Sequence, residues 1–339
     1  MSSRPTVAVV GCGAIASACH VPALAQHPGV RERLVLVDQD LDRARQLARA
    51  FDVASVATDY RDVLGGVDGV VIALPHRLHF RTALDCLRAG VPVLCEKPLA
   101  ESAAEVAELV AAAEQSHVKL AVNNTRRLFP PSRKVHELLT AGAIGPVRFL
   151  GYYDGAKYAW PSASGFAFGR RGTGKGVLLD VGAHVLDLVC WWLGCRPQVT
   201  AYEDDSLGGS EAVAKVSFAH GETHGEVHLS WLAKLRNGFR IVGEAGSIVG
   251  SVSDWHAVEL ASRSGKRTLI PLNSGIRTTS DAGRLVVANF LDVIQSGRPP
   301  LVSAQDVAPS IAMIEECYAR RRRFDMPWHD HWEQIRYAV

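Results

Sequence analysis

The chain has 339 residues, of which 47% are hydrophobic and 21% are charged, a composition typical of a globular protein. This length predicts two domains rather than one. The formal net charge of +2 is too small to draw the protein to nucleic acid or to a membrane surface, so neither is expected as a partner.

The N-terminal residues show no targeting signal. The segment "MSSRPTVAVVGCG" passes directly into an apolar strand, so no signal peptide is expected. The apolar runs are shorter than the roughly 18 residues that a membrane helix needs. The seven cysteines are odd in number and show no CxxC pair and no zinc-type spacing. We therefore expect reduced thiols, no metal site and a cytoplasmic protein.

Strands and helices alternate through the first third of the chain. Apolar, β-rich runs are separated by amphipathic helical stretches, a pattern typical of a parallel sheet that is covered on both faces. The predicted strands are 6–10, 34–37, 69–74, 91–95 and 118–122. The first predicted helix ends at about residue 26, and the other predicted helices cover 40–51, 77–90 and 101–116.

The first predicted strand leads into a GxGxxA fingerprint at 11–16. Gly11 permits a tight turn, and Gly13 lets the backbone approach a pyrophosphate at the start of the following helix. Ala16 still allows the helix to pack closely on the strand. The fingerprint therefore predicts a dinucleotide-binding site.

Asp38 ends the second predicted strand, where an acid that binds ribose is expected. Its carboxylate would accept hydrogen bonds from the adenosine ribose and repel the additional phosphate of NADP. NAD is therefore the expected cofactor. Arg43 and Arg45 are close in the sequence and leave NADP open as the less favoured alternative.

The strand at 91–95 is followed directly by Glu96, Lys97 and Pro98. In a doubly wound sheet, ligands bind outside the carboxyl ends of the strands, so both charged side chains are expected to face the cofactor cleft. The segment "ALPHRLH" at 73–79 follows another strand and is expected to line the same cleft. The alternative is a surface ion pair, worth less than about 1 kcal/mol.

The segment "LLDVGAHVLDLVCWW" carries Asp180, His184 and Asp187 at spacings of four and three residues. If 180–193 is helical, all three lie on one face. A polar stripe in an apolar helix needs a reason, because unpaired buried polar groups are costly. The spacing alone leaves two possibilities open, which are a site and a core histidine bonded to a helical neighbour.

These blocks together resemble the Gfo/Idh/MocA oxidoreductases, named for glucose-fructose oxidoreductase and inositol dehydrogenase. The matching blocks lie in the first 195 residues and are "VAVVGCGAIASACHVPAL", "ALPHRLH", "CEKPLA", "RRLFPPSRKVHELLTAGAIGPV" and "GKGVLLDVGAHVLDLVCWWLG". The resemblance implies a Rossmann domain over 1–123. Over 124–339 it implies an α/β domain that binds substrate and contains a large, open, mostly antiparallel sheet.

The second half agrees with such a sheet only in its coarse pattern. Strand-like runs occur at 147–153, 198–203, 212–219, 225–231, 239–242, 257–262 and 267–272, and helical stretches at 283–296 and 304–322. In the family, the exposed face of this sheet commonly builds a subunit interface, since a bare apolar sheet face needs covering. A homodimer or homotetramer formed through the sheet is therefore implied.

The resemblance also implies catalytic roles for Lys97, Asp180 and His184. His184 is expected to act as general base in oxidation, or as acid in reduction. Lys97 is expected to donate a hydrogen bond to the reacting oxygen and to stabilise the developing alkoxide. Asp180 would either orient His184 or hold a neighbouring hydroxyl, and Asp187 is expected to be structural.

Further residues are expected to contact the cofactor or the substrate. Glu96 is expected at the ribose on the nicotinamide side, and a purely structural role stays open for one of His76 and His79. The expected cofactor-binding residues are Gly11, Gly13, Ala14, Ile15, Asp38, Ala73, Leu74, His76, His79, Glu96, Lys97 and Asn124. The expected substrate contacts are His20, Arg126, Lys157, Tyr158, Trp160 and Lys175, with Arg170 as a further candidate.

Two features of the substrate side stay open. Arg126 or its neighbour Arg127 is equally well interpreted as an ion-pair residue. The Gly-rich, aromatic segment 153–176 is expected to form a loop over the pocket mouth, and Lys175 stands inside its run of glycines. If Lys175 points into the cleft, it favours an anionic substrate such as a sugar phosphate.

The resulting functional hypothesis is an NAD-dependent dehydrogenase or ketoreductase that acts on a ring hydroxyl of a sugar, sugar derivative or cyclitol. One alternative is an NAD-dependent glycoside hydrolase that oxidises its substrate transiently. Another is a non-catalytic dinucleotide-binding sensor. The complete set of Lys97, Asp180 and His184 argues against a sensor, which would not need it.

Overall fold

The computed structural model describes residues 4–161, 175–206 and 209–325. A six-stranded sheet contains β1 (Val7–Val10), β2 (Leu34–Val37), β3 (Ser55–Ala57), β4 (Gly69–Ile72), β5 (Val93–Glu96) and β6 (Leu120–Asn123). All of its neighbouring strands are parallel, in the order β3-β2-β1-β4-β5-β6. This is the strand order of the Rossmann fold, so the predicted fold of the first domain is confirmed.

The second sheet has nine strands, which are β7 (Val147–Gly155), β8 (Gln198–Asp204), β9 (Val213–His220), β10 (Thr223–Ser230), β11 (Gly238–Gly243), β12 (Gly246–Gly250), β13 (Ala257–Ser262), β14 (Arg267–Pro271) and β15 (Arg322–Arg323). Their order is β14-β13-β12-β11-β7-β10-β9-β8-β15. The β7–β10 and β8–β15 pairs are parallel, and the other pairs are antiparallel. The sheet is therefore mostly antiparallel, as predicted.

The helices in the described residues are α1 (Val21–Ala25), α2 (Leu41–Phe51), α3 (His79–Arg88), α4 (Ala103–Gln115), α5 (Pro130–Thr140), α6 (Val177–Asp180), α7 (Gly182–Leu193), α8 (Thr279–Ser296) and α9 (Ala304–Ala319). Their ends follow local chemistry. Asp40 and Ser102 cap α2 and α4 through side-chain oxygens, and Thr278 and Ser303 begin α8 and α9 with capping boxes. None of these helices is long and apolar enough to cross a bilayer.

The first sheet is buried on both faces, which explains its continuous apolar strands. In β1, Val7 and Val9 belong to one apolar layer, whereas Ala8 and Val10 belong to the other. The layer of Val7 and Val9 also contains residues of α1, α2 and α8. Because α8 follows the whole second sheet in the chain, the two halves of the sequence share this core.

One face of the second sheet packs on α7 and α9 in the other apolar layer. Large side chains such as Tyr152 and Phe218 are fully buried there. Leu269 of β14, by contrast, is 70% exposed. The homodimer or homotetramer expected through this sheet stays a prediction.

Several elements were not expected from the sequence, among them β3, α5 and β12. The strands β3 and β12 are short, with three and five residues, and β12 begins and ends with glycine. Short runs of this kind carry little periodicity. The helix α5 begins with two prolines, which suit the first turn of a helix but resemble a loop in a single sequence.

Candidate active site

Most of the predicted site residues gather where the carboxyl ends of β4, β5 and β6 meet helices α6 and α7 of the second domain. Lys97 directly follows β5, and Asn124 directly follows β6. Each of them forms a hydrogen bond with a residue of the α6–α7 segment. The cleft between the two sheets is therefore lined by both halves of the chain, as the strand-end rule predicts.

The glycine loop has the shape that a pyrophosphate requires. Gly11 has a φ angle of +97°, and a Cβ atom there would lie 2.5 Å from the carbonyl oxygen of Ala73, so only glycine fits. A Cβ atom on Gly13 would meet nothing within 4 Å, which leaves open space at this point of the loop. Ala14 and Ile15 follow as half-buried residues. These residues fit a dinucleotide.

Asp38 lies at the end of β2 with its side chain almost fully buried. Its carboxylate accepts hydrogen bonds from two backbone N–H groups, both at 2.9 Å. The guanidinium of Arg43 lies 3.2 Å from the same carboxylate, whereas Arg45 pairs with Asp42 instead. Of the two arginines noted in the sequence, only Arg43 is next to the expected ribose-binding acid.

Glu96 is buried beneath the cleft in a network of three donors. Its carboxylate lies 2.7 Å from Nε2 of His20, 2.6 Å from Nδ2 of Asn123 and 3.2 Å from the backbone nitrogen of Lys97. Burial alone would raise the pKa of Glu96, but His20, Asn123 and the charge of Lys97 hold it below its ordinary value. His20 is only 2% exposed, so this placement favours support of Glu96 over the predicted contact with substrate.

The two histidines after β4 have different environments. His79 is fully buried, with Nδ1 2.7 Å from the carbonyl oxygen of Pro98 and Nε2 2.8 Å from that of Leu74, so it joins the loops after β4 and β5. His76 packs edge to face against it. Burial and the charge of Lys97 lower the pKa of His76 to about 3. His79 is thus the structural member of the pair, and His76 keeps the expectation of a cofactor contact.

Lys97 and Asp180 form a salt bridge across the cleft. Nζ of Lys97 lies 2.5 Å from Oδ1 of Asp180 and 3.0 Å from its carbonyl oxygen. Burial would raise the pKa of Asp180, but the charge and the hydrogen bond of Lys97 hold it below its ordinary value. The ammonium of Lys97 and the ionised carboxylate of Asp180 therefore lie side by side. The pair can donate a hydrogen bond to one substrate oxygen and accept one from another.

His184 is oriented by Asn124, the residue that directly follows β6. Its Nδ1 lies 2.8 Å from Oδ1 of Asn124. Burial and the charges of Lys97 and Arg126 place the pKa of His184 well below its ordinary value, so the ring is neutral at pH 7. The sequence left open whether Asp180 orients His184, but Oδ1 of Asp180 is bonded to Lys97 and the orienting contact comes from Asn124.

Both neighbouring arginines form ion pairs. Arg126 lies 2.5 Å from Asp154 of β7. Arg127 binds Asp187 through two bonds of 2.7 Å and also donates to the carbonyl oxygen of Asp306 at 2.8 Å. Asp187 therefore ties α7 to the segment after β6 and to α9, in line with the structural role expected for it.

The predicted substrate contacts differ in placement. The ring of Tyr158 packs edge to face on Trp231, and burial together with the charge of Asp180 raises the pKa of Tyr158, so this phenol is near the salt bridge. Trp160 is 50% exposed, and Lys157 is also exposed.

Lys175 points to an acid of the chain itself. Its Nζ lies 3.0 Å from Oε2 of Glu101 and 5.5 Å from the ring centre of Tyr318. Because Glu101 compensates the charge of Lys175, this lysine gives no support for an anionic substrate. Arg170 lies outside the described residues.

One residue that supports the site was missed in the sequence. Glu211 is fully buried, and its Oε1 accepts from the backbone nitrogens of Gly176 and Leu178 at 2.9 and 3.1 Å. The hydroxyl of Tyr318 and the guanidinium of Arg321 also bind this carboxylate, at 2.8 and 2.9 Å. Glu211 thereby holds the start of α6, the helix that carries the catalytic candidate at its other end. In the sequence, Glu211 is simply an acid before an apolar strand, a pattern that a surface residue shows equally.

Comparison with known proteins identifies both halves of the chain. Residues 6–124 match the family described as "Oxidoreductase family, NAD-binding Rossmann fold", and residues 132–249 match "GFO/IDH/MocA C-terminal domain". The trans-1,2-dihydrobenzene-1,2-diol dehydrogenase of Xenopus laevis is 31% identical, over 67% of this chain and 70% of the relative. The 1,5-anhydro-D-fructose reductase of Ensifer adhaerens is 28% identical, over 71% of this chain and 74% of the relative.

The fold also agrees with solved structures. Levoglucosan dehydrogenase, in complex with NADH and levoglucosan, superposes with a TM-score of 0.80 at 19% identity. The match covers 93% of this chain and 96% of the other. The two-sheet architecture is therefore shared with that structure.

Proposed function

The chain belongs to the Gfo/Idh/MocA oxidoreductases, and we propose that it transfers a hydride between a nicotinamide cofactor and a secondary ring hydroxyl, or the corresponding ketone, of a sugar, sugar derivative or cyclitol. The observation that carries this proposal is the convergence of Lys97 with Asp180 and His184. Nζ of Lys97 lies 2.5 Å from Asp180, Nδ1 of His184 lies 2.8 Å from Asn124, and the charge of Lys97 lowers the pKa of His184.

The chemistry follows from the charges. Oxidation of a secondary alcohol removes one proton from oxygen and one hydride from carbon, and a C=O bond forms. The bound nicotinamide supplies the carbon that accepts the hydride. His184 is neutral and accepts the proton, while the ammonium of Lys97 stabilises negative charge that develops on the oxygen. In the reverse direction, the protonated imidazole returns the proton to the oxygen.

The geometry favours an uncharged substrate with neighbouring oxygens. Lys97 donates and Asp180 accepts, so the pair suits two adjacent ring oxygens, one of which reacts. Arg126 and Lys175 are already paired with acids, so the described cleft offers little uncompensated positive charge. The names of the two curated relatives agree with this view, since one specifies a cyclic 1,2-diol and the other an anhydro sugar.

Asp38 supports NAD as the preferred cofactor. Its carboxylate is fixed at the end of β2 by two backbone N–H groups and would accept hydrogen bonds from the adenosine ribose. Arg43 adds a cation at the same point, which would soften the repulsion of a 2′-phosphate. We therefore expect a preference for NAD rather than an exclusion of NADP.

The test is a screen of uncharged sugars, sugar phosphates and inositols with NAD, at about pH 9 so that proton release favours oxidation, followed by the absorbance of NADH. Steady NADH accumulation supports a dehydrogenase. A glycoside hydrolase would release product without accumulating NADH, and a sensor would bind NADH without any turnover.

Two variants connect this activity to the site. Lys97→Ala and His184→Ala should each lower kcat by about 100-fold or more, because each removes a group that acts on the reacting oxygen. NADH binding, measured by fluorescence titration, should persist. Lys134→Ala and His256→Ala remove the same residue types outside the site and serve as controls. A near-normal rate in either site variant would show that the assignment is wrong.

A further inference from the structure

Asn124 stands where a general base is normally oriented by a carboxylate. In the part of the chain that the structure describes, the ring hydrogen bond of His184 joins Nδ1 to Oδ1 of Asn124 at 2.8 Å. An amide oxygen can only accept a hydrogen bond, so Nδ1 must carry the proton and Nε2 the lone pair. We propose that Asn124 is a positioning residue that fixes this tautomer and so makes Nε2 of His184 the atom that exchanges the proton with substrate.

This inference rests on the proposed function, and it assigns Asn124 to the base rather than to the cofactor. The two acids near His184 on the α6–α7 segment are already engaged, because Asp180 is bonded to Lys97 and Asp187 to Arg127. Asn124 is buried, and its backbone is well fixed. The residue is 2% exposed, its backbone nitrogen donates to Val122, and its carbonyl oxygen accepts from Arg127.

An amide partner has a chemical consequence that a carboxylate would not have. It orients the ring without adding negative charge, so it does not stabilise the imidazolium. The other groups that face His184 are Lys97 after β5 and Arg126 after β6, both cationic, and Asp180 on its own segment, which is neutralised by Lys97. His76 is neutral at pH 7. The site thus keeps its base uncharged over the whole physiological range.

The first experiment reads the tautomer directly and does not depend on turnover. Long-range ¹H–¹⁵N NMR spectra distinguish a protonated from an unprotonated ring nitrogen, and the His184→Gln spectrum identifies the signals of His184. In the wild-type protein we expect Nδ1 to be protonated and Nε2 unprotonated. In Asn124→Ala we expect a mixture of both tautomers. A wild-type spectrum with the proton on Nε2 would overturn the proposal.

The second experiment measures the pH dependence of kcat/KM. Asn124→Asp places a carboxylate at the same distance from the ring, and an opposite charge within about 4–6 Å raises a pKa by roughly 1–3 units. The acidic limb of the profile should therefore move to higher pH by about that amount. Asn124→Ala should lower kcat by about 10- to 100-fold, since acid–base catalysis contributes at least that much, while the dissociation constant of NADH changes little.

Asn289→Ala is the matched control. Oδ1 of Asn289 also accepts a single hydrogen bond, from the backbone of Leu301 at 2.8 Å, but it lies on α8 outside the site. In Asn289→Ala, the NMR signals of the His184 tautomer and the pH profile of kcat/KM should equal those of the wild type. If Asn124→Ala instead weakens NADH binding and leaves the tautomer and the acidic limb unchanged, Asn124 is a cofactor contact and the proposal is wrong. If no substrate is found, the NMR result still decides this inference, and only the proposed function fails.

Discussion

Replacing Glu211 by glutamine tests whether a buried acid outside the cleft holds the catalytic segment in place. The carboxylate of Glu211 accepts from the start of α6 through Gly176 and Leu178, and from Tyr318 and Arg321. Glutamine keeps the shape but offers only one acceptor oxygen. If that oxygen stays with the start of α6, the new NH₂ group faces the guanidinium of Arg321, which loses one of its two acids and keeps only Asp204.

The magnitude follows from burial. Glu211 is 0% exposed, but Arg321 is 30% exposed and keeps Asp204, so the change removes one hydrogen bond to a charged group, worth about 1.5–3 kcal/mol. Unfolding entropy is about 2.1 cal/mol/K per residue, which for a chain of 339 residues amounts to about 0.7 kcal/mol/K. We therefore expect the Tm of Glu211→Gln to fall by about 2–4 °C, and by more if the second domain unfolds independently, because the entropy change is then smaller.

The assay is thermal unfolding followed by circular dichroism, with Glu222→Gln as the control. Glu222 also pairs with an arginine, Arg148, but its side chain is 79% exposed, so its loss should cost less than about 1 kcal/mol. Because α6 ends at Asp180, kcat of Glu211→Gln should fall as well. If the two variants have the same Tm, the network around Glu211 does not stabilise the fold as argued.

Two further predictions concern the cofactor and the pH dependence of stability. Asp38→Ser should shift the ratio of kcat/KM values from NAD towards NADP. Arg43→Ala in the wild-type background should weaken the binding of 2′,5′-ADP more than that of ADP. If the kcat/KM ratio and the ratio of the two binding constants stay unchanged, neither residue takes part in cofactor selection. The pKa of His76 is lowered from 6.5 to about 3. Below about pH 6.5 the unfolded chain therefore binds a proton that the folded chain does not bind, and the protein becomes less stable as the pH decreases. Between pH 6.5 and pH 5, His76 lowers the free energy of unfolding by at most about 2 kcal/mol. In urea unfolding of the cofactor-free protein, His76→Gln should therefore lose less stability than the wild type over this pH range. An equal loss would show that His76 is not the group responsible.

Local patterns predicted much of the fold and the cofactor half of the site. The steric demand on Gly11 and the placement of Asp38 and Lys97 at strand ends are properties of single strand–turn–helix units, which leave their periodicity in the sequence. The polar stripe of α6 and α7 was visible for the same reason. Short or glycine-bounded elements such as β3 and β12 leave too few residues for such a pattern, and they were missed.

The sequence alone determined which chemical groups are available: a glycine-rich loop, a carboxylate at the end of β2, an ammonium at a strand end and an imidazole on a helix. Only the tertiary structure decided their partners. Asn124 and His184 are 60 positions apart, and Lys97 and Asp180 are 83 apart. Such pairs form because segments that are distant in the sequence pack together and exclude water from the groups between them, and a pairing of this kind leaves no periodic trace along the chain.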